Sequence, residues 1–137
     1  MRVFLDTNVL VSAIATRGLC ADVLREVLAR HDLIISRELL QELEKVLQGK
    51  FALPRALISE FIHFVQQDAR LFEASNRDDW PIRDEDDIPL LSAALNGEAD
   101  LFITGDSELI GLQKVGKMEI VSPRTFWDKL TQLTPDS

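Results

Sequence analysis

The stretch Arg2-Val3-Phe4-Leu5-Asp6-Thr7-Asn8 decides how the rest of the chain is read. A short β-rich run ends in three apolar residues and meets an aspartate at once, followed by a hydroxyl and an amide. The carboxylate of Asp6 therefore stands at the tip of a buried strand. The same arrangement returns at Leu101-Phe102-Ile103-Thr104-Gly105-Asp106. Leu33-Ile34-Ile35 and Glu119-Ile120-Val121 read as further strands, and Arg70-Leu71-Phe72-Glu73 as a weaker one.

Helical patterns lie between these runs. Leu39, Leu40, Leu43, Val46 and Leu47 trace one apolar stripe, with Ser36 placed to cap its start. Leu57, Ile58, Phe61, Phe64 and Val65 trace another after Pro54, and spacing puts Phe61 and Phe64 in the core. Leu90, Leu91, Ala94 and Leu95 form a third, ended by Asn96-Gly97. Val23, Leu24, Val27 and Leu28 suggest a fourth, and Pro123 to Leu130 a terminal one. Strands alternating with helices imply an α/β fold, a three-layer α/β/α sandwich around a mainly parallel sheet. Ligands of such sheets bind beyond the carboxyl ends of the strands, where Asp6 and Asp106 fall. Each aspartate taken singly reads as a helix cap; two at strand tips point to a shared site.

Asp87 follows from direction. In a helix carrying Leu90, Leu91, Ala94 and Leu95, it points into the apolar face, and a carboxylate there must cap, pair or bind metal. Pro89 fits only the first turn, so Asp87 lies at the helix N-terminus, with Asp84 and Asp86 as rivals. Glu42 flanks the Leu39/Leu43/Val46 stripe, and Glu44 flanks its other edge equally well. Clustered carboxylates without cysteine or histidine partners suit Mg²⁺ or Mn²⁺ rather than zinc or copper. Such ions activate water and stabilise charge on phosphoryl groups, the chemistry of phosphodiester hydrolysis or phosphoryl transfer.

At 137 residues the chain suits one domain, with 46% hydrophobic and 28% charged residues. We expect a single domain over residues 1–130 and a short tail over 131–137. The net charge is −8, and all of the acidic excess falls in residues 71–137, most densely between Arg77 and Asp87. An acidic chain lacks the general attraction that drives nucleic-acid binding, so a polyanionic substrate calls for a local cation. By exclusion, Arg17, Arg25, Arg37, Lys45, Lys50 and Arg55 are the phosphate contacts available in the neutral half. The lone Cys20 forms no intramolecular disulfide, Asp6 interrupts any signal-peptide core, and no apolar run spans a bilayer. These features imply a reduced, cytoplasmic, soluble protein. His63 reads as an exposed helix residue, His31 has no nucleophile beside it, and Trp80 reads as a loop aromatic packed over a neighbour.

In order, Phe4-Leu5-Asp6-Thr7-Asn8-Val9-Leu10, Ser36 to Leu43, Asp84 to Leu91, and Ala99 to Leu109 resemble the PIN domain (PilT N-terminus) family. The resemblance runs from Met1 to about Leu130 and is greatest for the prokaryotic branch related to VapC toxins. It implies a Mg²⁺- or Mn²⁺-dependent ribonuclease acting as the toxin of a toxin–antitoxin pair. It further implies that Asp6, Glu42, Asp87 and Asp106 form an acidic quartet for metal and catalysis, supported by Asn8 and Thr104. A homodimer, an RNA substrate and a small cognate antitoxin are implied as well. Two rivals stand beside it. A catalytically idle PIN fold would serve as a binding module. A haloacid-dehalogenase-type phosphatase would need an aspartate where Asn8 stands.

Overall fold

The apolar runs become strands whose order across the sheet differs from their order along the chain. A computed structural model describes residues 1–73 and 87–133. Its strands are β1 (Arg2–Leu5), β2 (Asp32–Ile35), β3 (Arg70–Leu71), β4 (Leu101–Ile103), β5 (Lys114–Val115) and β6 (Met118–Val121). They form one six-stranded sheet in the order β3-β2-β1-β4-β6-β5. All neighbours run parallel except β5 against β6. The helices are α1 (Thr7–Ala15), α2 (Leu19–Arg30), α3 (Arg37–Gly49), α4 (Arg55–Asp68), α5 (Asp87–Asn96), α6 (Ser107–Leu112) and α7 (Pro123–Leu133). The expected three-layer α/β/α architecture is the one observed.

The chain steps outward from β1 to β2 to β3, then returns to lay β4 along the other side of β1. Strand order thus reverses between β1 and β4, whose register pairs Leu5 with Ile103. Crevices for ligands open at such reversals. The core that holds the two strands in place is apolar: Phe4 and Phe102 are fully buried and stack with ring centroids 5.2 Å apart.

Several elements depart from expectation. Helix α4 buries Ile58 and Val65, while Leu57 and Phe64 are 51% and 54% exposed, so Phe64 is not a core residue. The seven-residue spacing of Ile58 and Val65 sets the buried seam, and a residue one position earlier is rotated by about 100° from it. Phe61 is half-buried and His63 is exposed. Residues 131–133, assigned to the tail, are the last residues of α7. The hairpin of β5 and β6 was also unexpected; its signal is Gly116-Lys117, a two-residue turn with Gly116 at φ 61°. Among the described residues no single helix is long and apolar enough to cross a membrane.

Gly97 ends α5, as read from sequence, but the reason is packing. A Cβ there would lie 2.7 Å from Ile34 Cγ2 and 2.8 Å from Phe72 Cδ2. The Arg2 guanidinium also donates to the Gly97 carbonyl at 2.9 Å. Gly97→Ala should therefore overpack the contact of α5 with β2 and lose about 1–3 kcal/mol of stability, measurable by urea denaturation.

His31 packs edge-on against Phe126 at the opposite end of the sheet from Asp6, with Nδ1 3.3 Å from the Met1 amino group. Burial, and then that amino group, lower its pKa, opposed by Glu26 and Asp32. The unfolded chain then binds a proton that the folded state resists, so this contribution is whole above pH 6.5 and is lost as pH falls below it. His31→Gln should flatten that part of the acid limb in melting curves taken across the pH range.

Candidate active site

Asp6 and Asp106 each begin a helix as well as ending a strand. Asp6 is 4% exposed, and its Oδ1 accepts from the Thr7 amide at 2.8 Å. Asp106 caps α6 in the usual way: its Oδ1 accepts from the amides of Glu108 at 2.8 Å and Leu109 at 3.3 Å. The capping role read from sequence is therefore real at both positions. What capping does not require is the bond between them. Thr104, fully buried, donates its hydroxyl to Asp6 Oδ2 at 2.7 Å and accepts the Asp106 amide at 3.0 Å. One hydroxyl thus ties the tip of β1 to the tip of β4. The backbone holds the same junction, through the Asp6 amide to the Ile103 carbonyl at 2.9 Å and the Thr104 amide to the Val121 carbonyl at 3.0 Å.

A buried carboxylate is costly unless hydrogen bonds and local dipoles compensate it. Asp6 has both, since it faces the positive end of α1 and accepts from an amide and a hydroxyl. Beside it Thr7 is 1% exposed and its Oγ1 is buried with no partner among the described residues. Asn8 is exposed in the first turn of α1, and its side chain bonds to none of the described residues.

The second half of the site lies on α3 and α5. Buried Ser36 follows β2 and caps α3, its Oγ accepting from the Leu39 amide at 3.1 Å. Farther along α3, half-buried Glu42 lines a groove of about 600 Å³ that also contains Pro89, in the first turn of α5. The exposed Glu44 faces a different groove, shared with Arg55 and His63. Tertiary structure thus separates two glutamates that periodicity treats alike. Asp87 is the first residue of α5 and is half-buried, as its position demanded. The directional argument for it is weaker than it looked: Leu90 to Ala94 are all buried, so that stretch of α5 has no exposed face to contrast. Its rivals Asp84 and Asp86, and Trp80, lie outside the described residues. Ser92, buried on α5, was not anticipated; its only sequence signal is a hydroxyl inside an apolar helix.

The donors assembled are all oxygens, which fits a hard divalent cation. Asp106 Oδ2 accepts no hydrogen bond from a described residue, so the cap leaves one of its oxygens available. Asp6 and Asp106 fit as two ligands on that chemistry. Among the described residues, however, no group of three His, Cys, Asp or Glu side chains is arranged to hold a metal ion.

A doubly wound α/β sheet, with two aspartates joined through Thr104 where its strand order reverses, defines a protein with a strand-end acidic site. The chain belongs to the PIN domain family, whose match covers residues 2–108. Two solved structures share the fold. The first is a chain of Rickettsia felis VapBC2 bound to a DNA fragment from its promoter; it is 14% identical, with a TM-score of 0.62 over 89% of this chain and 98% of that one. The second, from VapBC-1 of nontypeable Haemophilus influenzae, is 18% identical, with a TM-score of 0.62 over 90% and 99% of the two chains. No curated protein matches the sequence significantly.

Thr104→Val keeps the shape and removes the hydroxyl that serves both aspartates. It should cost about 1–3 kcal/mol in chemical denaturation, because two polar groups lose their shared partner. Thr104→Ser should recover most of that loss.

Proposed function

We propose that this protein is a divalent-metal-dependent ribonuclease, the toxin component of a toxin–antitoxin pair. The observation that carries the reading is the Asp6–Thr104–Asp106 linkage at the sheet's switch point. Membership of the PIN family supports nuclease chemistry, and the shared fold with chains of two VapBC structures supports the toxin assignment. In this reading the nuclease domain runs to the end of α7, works in the cytoplasm as a homodimer, and is held in check by a small cognate antitoxin.

Asp6 and Asp106 hold Mg²⁺ or Mn²⁺, with Asp87 and Glu42 completing the acidic set from α5 and α3. The bound ion stabilises charge on the phosphoryl group and activates water. Thr104 keeps the Asp6 carboxylate aimed, because its hydroxyl proton is committed to Oδ2 and its lone pair to the Asp106 amide. Glu42, in the open groove, accepts a proton as water attacks phosphorus; the bond from phosphorus to the leaving ribose oxygen breaks, and that oxygen takes a proton from solvent. Asn8, exposed beside Asp6, is free to donate to a phosphate oxygen or to water in support of the site.

A second reading is an idle PIN fold that binds without cutting. It is favoured by the absence, among the described residues, of a third converging carboxylate. Incubation of the purified protein with total RNA separates the two. Cleavage should require Mg²⁺ or Mn²⁺ and stop in EDTA, with cut ends that map to discrete positions. Asp106→Asn keeps an amide oxygen to cap α6, so it should melt close to wild type while cleavage falls at least about 100-fold. Equal cleavage in EDTA would remove the metal, and no cleavage in any buffer would leave the binding module.

A further inference from the structure

We propose that Lys45 on α3 and Lys50 at its C-cap form the phosphate-binding track that leads RNA to this site. The inference rests on the ribonuclease reading and adds the residues that seat the substrate. The chain is acidic overall, so seating a polyanion calls for local positive charge that other side chains have not neutralised. Six cations in the neutral half compete for that role, and the structure separates them. Arg25 pairs with Asp22, and Arg37 lies 3.3 Å from Glu73. Arg17 lines a groove between α1 and α2, and Arg55 one between α3 and α4. Only Lys45 and Lys50 line the groove that holds Glu42 and Pro89. Neither lysine pairs with a carboxylate among the described residues.

Their order along the helix has a consequence. Glu38 and Glu42 occupy the part of the groove nearer the start of α3, which follows β2 at the site end of the sheet. Lys45 and Lys50 come later, about 4.5 Å and 12 Å beyond Glu42 along the axis at 1.5 Å per residue. Carboxylates therefore face the reacting end, and ammonium groups lie at increasing distance from it. A strand whose flanking phosphates lie on the lysines has its scissile phosphate held toward Glu42. Both lysines are exposed, so replacing them leaves the core intact.

The test measures binding of a single-stranded RNA oligonucleotide over a range of salt, in the Asp106→Asn background and in EDTA to suppress cutting. Lys45→Ala/Lys50→Ala should reduce the slope of log K against log salt by about 1.4, at about 0.7 per lost phosphate contact on a single strand. In the cleaving enzyme the same pair should raise KM and leave kcat near its value. Lys45→Arg/Lys50→Arg should restore the slope, and Lys114→Ala/Lys117→Ala, on the β5 hairpin, should leave it unchanged. An unchanged slope in the alanine pair, while the parent chain still cleaves RNA, would overturn the track alone. Failure of the parent chain to bind or cleave RNA would overturn the ribonuclease reading and the track with it.

Discussion

The reversal of strand order between β1 and β4 is the constraint on which the rest of this protein depends. Parallel pairing in that register brings Leu5 beside Ile103, and the residues that follow have no choice but to meet. Two helices start at that junction, and each needs an acceptor for its first amides. Aspartate supplies one at both positions, so folding by itself sets an acidic residue at each of two neighbouring strand ends. Thr104 makes the pair tolerable and rigid, since one hydroxyl donates to the first aspartate and accepts from the backbone of the second. Capping engages Oδ1 of Asp106 and leaves its Oδ2 without a donor among the described residues, so a capping role does not exclude the metal-binding role proposed for it.

The electrostatics of the site follow from the same junction. An acidic cleft in an acidic chain repels the polyanion that the PIN reading assigns to it. On the proposed reading, a divalent cation held by Asp6 and Asp106 would offset that repulsion at the reacting phosphate, and Lys45 and Lys50 would offset it farther out. The groove beside Glu42 places acids and lysines in sequence along the chain, acids first and lysines later.

Much of the fold was legible because buried parallel strands leave an unmistakable trace. Leu33 to Ile35 and Leu101 to Ile103 are unbroken apolar runs; Ser36 caps the next helix directly after the first, and Asp106 does so three residues after the second. What escaped were elements without contrast. Helix α1 is apolar nearly all round, so it shows no stripe, and α6 has only six residues. Strand β5 is two residues long and is recognisable only through its turn. Phe64 was misread because apolar residues at two adjacent helical spacings offer two possible seams, and hydrophobicity alone does not choose between them.

The candidate site divides along the same line. By itself the sequence determined the α/β class, the strand tips that carry Asp6 and Asp106, and the helix start that carries Asp87, because these depend on local pattern and on short spacings. Only the tertiary structure decided that β4 returns to the flank of β1, that Thr104 bridges the two aspartates, and that Glu42 and not Glu44 shares a groove with the start of α5. The physical reason is separation along the chain. Asp6 and Thr104 are 98 positions apart along the chain, and no local preference records which distant hydroxyl will meet a buried carboxylate. That choice is made by the packing of the sheet.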